Sequence, residues 1–111
     1  MSRRTEKVAA LLHKEVGEYL LRQDLPSLTT VSKTEVTPDL KWCKVWITIM
    51  GSKPEQAIVL RTLKSGLSEF QHELIQKLSM KIVPRVSFVV DHGEEYAAHI
   101  NDLLRKTHNE E

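Results

Sequence analysis

The stretch Lys41-Trp42-Cys43-Lys44-Val45-Trp46-Ile47-Thr48-Ile49-Met50-Gly51 decides the fold. It alternates strictly. Cys43, Val45, Ile47 and Ile49 point one way; Trp42, Lys44, Trp46 and Thr48 point the other. Side chains two apart share one face of a strand, so this is a strand with an apolar face for a core and a second face of indoles and lysine.

The chain on either side pairs with this strand or covers it. Leu28–Thr37, rich in threonine and valine, favours pleated structure. Thr37-Pro38-Asp39-Leu40 lies between the two, with proline where a type I turn wants its fixed φ. The two strands therefore form a hairpin. Before them, Val8, Leu11, Leu12, Val16, Tyr19 and Leu20 recur at three- and four-residue steps and predict a helix over about residues 3–22. Arg3, Arg4, Lys7 and Lys14 lie largely off that stripe, and Pro26 ends the segment.

Past Gly51 the period changes. Ser52-Lys53-Pro54-Glu55 has the capping-box form, and Leu60, Leu63, Leu67, Phe70, Leu74 and Leu78 share one helical face over about residues 53–79. Gly66 interrupts it, and Ser68-Glu69-Phe70-Gln71 offers a second capping box. Two arrangements fit: one helix carrying a glycine, or two helices meeting in a kink at Ser65–Gly66. Residues 82–90 predict a third strand, with Val86, Phe88 and Val90 on one face and Arg85, Ser87 and Val89 on the other; Pro84 near its start suits an edge. Asp91-His92-Gly93-Glu94 can cap a last helix over about residues 92–106, striped by Tyr96, Ile100, Leu103 and Leu104, with residues 107–111 a frayed tail. The expected fold is α+β: helix, strand, strand, kinked helical unit, strand, helix. Its sheet has three strands, is mixed because the second-to-third connection crosses over, and carries its helices on one face.

Composition bounds the function. At 111 residues, 41% hydrophobic and 28% charged, the chain suits one soluble domain, read as residues 1–111. Its single cysteine, Cys43, reads as a small buried hydrophobe and fits a reducing cytoplasm. No apolar stretch suits a membrane span, and the run Val8–Leu12 is too short for a secretory signal. The net charge of +1 hides an uneven distribution: residues 1–14 carry +3, residues 15–90 carry +2 and residues 91–111 carry −4. A basic face is therefore permitted. His13, His72, His92, His99 and His108 show no zinc-motif spacing, so no metal is expected. No glycine-rich phosphate loop, nucleophile elbow or apolar carboxylate pair is present, so neither catalysis nor a cofactor or small-molecule substrate is expected. Asp39 reads as a turn former and Asp91 as a cap.

The order and residues together resemble the ribosome-binding factor A family. The resemblance is carried by Arg4–Leu21, by the run from Val36 to Thr48, by Leu63-Lys64-Ser65-Gly66-Leu67 and by the run from Pro84 to Asp91. It implies a type II KH-like domain, order α-β-β-α(kink)α-β-α. KH domains usually grip nucleic-acid backbone with a Gly-x-x-Gly loop. The glycines here are Gly17, Gly51, Gly66 and Gly93, so that loop is absent. The family has an Ala-x-Gly kink instead, and this chain departs from it with Lys64-Ser65-Gly66. It departs twice more: Leu25-Pro26-Ser27 stands where the family often has Asp-Pro-Arg, and Glu69 stands where an arginine often follows the kink glycine. The resemblance implies a non-catalytic cytoplasmic assembly factor. It would bind the small (30S) ribosomal subunit and its 16S rRNA and promote late maturation of that rRNA, above all in the cold. A monomer is expected.

For contact with rRNA phosphates the candidates are Arg3, Arg4 and Lys7 on the first helix, Lys64, Ser65 and Gly66 at the kink, Lys77 and Lys81 beyond it, and Arg85 on the third strand. For any one of them a solvated surface charge is the default reading. Trp42 and Trp46, with Lys44 between them, form a second candidate surface. They could stack bases, anchor a protein partner, or simply shield the sheet. The alternative function is thus a protein-interaction module using the Trp42/Trp46 face. A single-stranded RNA binder unrelated to ribosomes is disfavoured by the modest charge and the missing loop.

Overall fold

A computed structural model describes residues 3–92. Its elements are α1 (Arg3–Arg22), β1 (Leu28–Val36), β2 (Trp42–Met50), α2 (Lys53–Ser65), α3 (Leu67–Lys77) and β3 (Arg85–Val90). β2 is the middle strand, antiparallel to β1 and parallel to β3. The mixed α+β architecture is as expected. The helix and frayed tail expected over residues 92–111 lie outside the described residues, apart from His92.

Among the described residues the helices cover the Cys43–Ile49 face of the sheet. Leu12, Val16, Tyr19 and Leu20 of α1 meet Cys43, Val45 and Ile47 of β2, Val59 and Leu63 of α2, Phe70 and Leu74 of α3, and Val86 and Phe88 of β3. Burial pushes the Cys43 thiol up to about 12, so it stays protonated and inert at neutral pH.

The hairpin is less regular than the sequence pattern predicts. Val31 pairs with Ile47 but Lys33 pairs with Trp46, leaving Ser32 as an extra residue whose hydroxyl donates to the Trp46 carbonyl at 3.1 Å. This β-bulge explains how Val31 and Val36, an odd number of residues apart, both face the core. It also turns Lys33 out beside Trp46. The turn holds Leu40 at φ 62° with its side chain buried, and the Leu40 N–H donates to the Thr37 carbonyl at 2.8 Å. Asp39 closes the turn, accepting from the Thr37 hydroxyl at 2.6 Å and the Lys41 N–H at 3.1 Å.

The helical unit is two helices, not one. Ser52 and Glu55 form the predicted capping box at the start of α2. The second box does not form: α3 begins at Leu67 with Gly66 as its cap, and Ser68 already lies inside the helix. Gln71 instead reaches the edge of the sheet. β3 begins at Arg85 rather than at residue 82, because Pro84 has no N–H to donate to a ladder.

Candidate nucleic-acid interface

The kink is built from Gly66 outward. Its backbone, at φ −93° and ψ 0°, is open to any residue, so conformation does not demand glycine. Space does. A Cβ there would lie 2.6 Å from the Tyr19 hydroxyl. Tyr19 reaches in from α1, donates to the Leu63 carbonyl at 3.2 Å and stacks on Phe70 with centroids 4.2 Å apart. That bond satisfies a carbonyl in the last turn of α2. Burial raises the Tyr19 pKa, keeping the donor protonated. The sequence pattern marks Tyr19 only as one more core residue; nothing in its spacing singles it out as the pin of the kink.

The open side of the kink toward α1 is a notch lined by Tyr19, Arg22, Gln23, Glu69, Phe70 and Glu73, with Gly66 at its edge. Arg22 pairs with Glu73 at 3.4 Å, so the notch holds two carboxylates against one cation. Lys64 does not line it. Lys64 belongs to a second groove, shared with Ser68, Gln71, His72, Ile75 and Arg85. A third groove brings Arg4 and Lys81 together beside Asp39, Leu40 and Ile82. The four named cations of these two grooves come from α1, α2, the α3–β3 connection and β3 itself.

Gln71 ties α3 to the start of β3. Among the described residues β3 is an edge strand, and Arg85 donates its N–H inward to the Lys41 carbonyl at 2.8 Å. The neighbouring outward groups would be orphaned, but the Gln71 amide donates to the Pro84 carbonyl at 2.9 Å and accepts from the Val86 N–H at 3.0 Å. The side chain holding Arg85's backbone in place is therefore on α3, beside the groove Arg85 lines.

The remaining candidates separate clearly. Arg3, Arg4, Lys7, Lys64, Ser65, Lys81 and Arg85 are exposed. The Ser65 hydroxyl donates to the Thr62 carbonyl at 2.9 Å. Lys77 is bound at 2.9 Å to the buried Glu15 and lies 3.7 Å from Glu18, and the Glu15 hydrogen bond raises its pKa. On the sheet face away from the helices, Trp42 is 53% exposed, with the Arg85 guanidinium 5.7 Å from its ring centre. Trp46 has Lys33 at 4.9 Å and Lys44 at 5.5 Å. Arg85 thus joins the kink-side groove to the tryptophan face, two surfaces that sequence treats as separate. Among the described residues no cluster of histidine, cysteine or carboxylates could hold a metal, and no helix is long and apolar enough to cross a membrane.

A three-stranded mixed sheet with helices on one face defines a small α+β domain in the described residues. The family model for ribosome-binding factor A matches residues 4–104, and the chain belongs to that family. A curated relative, ribosome-binding factor A of Caldanaerobacter subterraneus subsp. tengcongensis, is 29% identical over 115 residues, covering 100% of this chain and 94% of its own. The crystal structure of ribosome-binding factor A from Thermus thermophilus is similar with a TM-score of 0.67 at 18% identity, covering 81% of this chain and 98% of its own. A homology model of the Thermus thermophilus factor, fitted into the cryo-electron microscopy map of its complex with the 30S subunit, is similar with a TM-score of 0.63 at 20% identity; the match covers 75% of this chain and 90% of that one.

Proposed function

We propose that this protein binds the small (30S) ribosomal subunit through its 16S rRNA and promotes late maturation of that rRNA, with its greatest effect in the cold. It acts in the cytoplasm as a monomer and as a non-catalytic factor. The whole chain serves as one type II KH-like domain in which the Lys64-Ser65-Gly66 kink replaces the usual loop. The observation that carries this reading is the convergence of Lys64 and Arg85 on one groove, in a chain of a ribosome-binding family. The homology model of a relative, fitted into the map of a 30S complex, supports the choice of partner.

Phosphate contacts fall first to Lys64 and Arg85, then to Arg4 and Lys81 in their own groove, with Arg3 and Lys7 extending them along α1. Lys77 contributes least because two carboxylates already hold it. Ser65 adds at most a hydroxyl. Gly66 contributes through the bend it permits rather than by letting a phosphate approach, since its notch carries Glu69 and Glu73. Counterion release makes such binding salt-dependent, with a slope of roughly −0.7 to −0.9 per phosphate neutralised.

The test is co-sedimentation with small subunits across a salt series, together with deletion of the protein's gene. Salt-dependent binding and a build-up of immature small-subunit rRNA at low temperature are expected. Indifference to small subunits at low salt would refute the reading.

A further inference from the structure

The open face of the sheet holds a feature that a phosphate-binding groove does not need. Trp42 and Trp46 are the chain's two tryptophans, and both stand on the middle strand with their side chains away from the core. Four residue steps along the strand separate them, about 13 Å. Each has a cation near its ring: Arg85 for Trp42, and Lys33 and Lys44 for Trp46. Lys44 stands between the indoles on the same face. Lys33 reaches the face only through the bulge at Ser32, and Arg85 lies directly across from Trp42 in the parallel register. Among the described residues one carboxylate opposes these three cations: Glu35, across from Lys44 and 3.4 Å from Lys33.

We propose that this face is a stacking platform for an unpaired RNA segment, with bases on Trp42 and Trp46 and the intervening backbone on Lys44. The proposal rests on the rRNA-binding reading above and deepens it by naming the form of RNA and the second surface. Aromatic rings interleaved with cations bind single strands because every base has a π-face and every linkage a charge. A base can take the place of a cation at the ring and leave that cation paired with a phosphate. An apolar protein partner would instead have to strip water from three cations around the same rings with one carboxylate to answer them. Charge complementarity therefore selects nucleic acid. Arg85 makes the platform continuous with the Lys64 groove, so one strand can run from the helical side around the edge of β3 onto the sheet.

Because both tryptophans lie on the proposed site, intrinsic fluorescence of the full-length protein reports it directly. A short unstructured single-stranded RNA should quench that emission, and the same RNA annealed to its complement should quench it far less. Trp42→Leu and Trp46→Leu keep apolar bulk on the sheet and remove the stacking ring. Each should weaken the RNA about 5- to 150-fold, and Trp42→Phe should restore much of it. Circular dichroism of each variant checks that it folds. Three results would overturn the proposal. One is salt-dependent subunit binding with no quenching by single strands, which leaves the rRNA-binding reading standing. Another is quenching by an acidic peptide but not by RNA, which makes the face a protein interface. The third is poor acrylamide access to the tryptophans in the free chain, which means that the face is already covered. Loss of both subunit binding and quenching in the unmodified protein would sink the platform and the underlying reading together.

Discussion

The kink and the open sheet face are opposites in how they use an aromatic residue. At the kink, Tyr19 is buried, hydrogen-bonded and stacked, and its hydroxyl fills the space where a Gly66 side chain would go. On the sheet, Trp42 is half exposed and has a cation beside its ring. The first arrangement fixes a shape. The second leaves binding surface unused by the fold. The kink glycine thus serves architecture, while the free chemistry lies to either side of it, at Lys64 and across Arg85 on the sheet.

The sharpest way to break that comparison is a double-mutant cycle. Gly66→Ala should destabilise the protein by about 1–3 kcal/mol, as overpacking in a core does. Tyr19→Phe should cost about 1 kcal/mol for the lost hydrogen bond. The pair should not add: with the hydroxyl gone the alanine meets nothing closer than the ring carbon at 3.8 Å, and alanine suits a helical bend better than glycine. Urea midpoints of the four proteins check this. Additive losses would mean the hydroxyl is not the reason for the glycine.

A smaller effect sharpens the other half. Glu69 lines the notch where the family often carries arginine. Glu69→Arg should tighten binding to small subunits and steepen the salt slope by about 1. No change in slope would place the rRNA away from the notch altogether.

Smallest of all is the expected effect at Lys77. Its pKa is raised by the Glu15 hydrogen bond, so the stability it contributes is fully present below the ordinary lysine pKa, about 10.4, and is lost as pH rises through the folded value. Lys77→Met should therefore lower the urea midpoint at neutral pH, with the gap to the unmodified protein closing in strong alkali. Subunit binding should not move. A clear loss of subunit affinity would make Lys77 a contact in spite of its ion pair.

How much of this is legible in the sequence depends on what each feature rests on. The alternation around Trp42–Ile49 and the stripe on α1 are periodic, and periodicity reads directly as a face. The capping box at Ser52 is local and forms as written. The bulge at Ser32 is concealed, although the odd spacing of Val31 and Val36 is a signal that could reveal it. The apparent box at Ser68 misleads because Gly66 ends one helix and starts the next without a side-chain cap. Tyr19, Gln71 and the shared position of Arg85 are illegible for a different reason. Each acts on residues far away in the chain, and a single sequence carries no record of which distant groups meet. The same limit applies to the cations. Their number is plain, but that Glu15 holds Lys77 while Lys64 and Arg85 share an open groove is a fact of packing.

The most direct measurement is the salt dependence of small-subunit binding for the unmodified protein, Lys64→Glu, Arg85→Glu and the double variant. Each single reversal should reduce the magnitude of the slope of log K against log salt by roughly 0.7–0.9, and the double variant by about twice that. Slopes that stay unchanged in all three variants would contradict the assignment of this groove to rRNA.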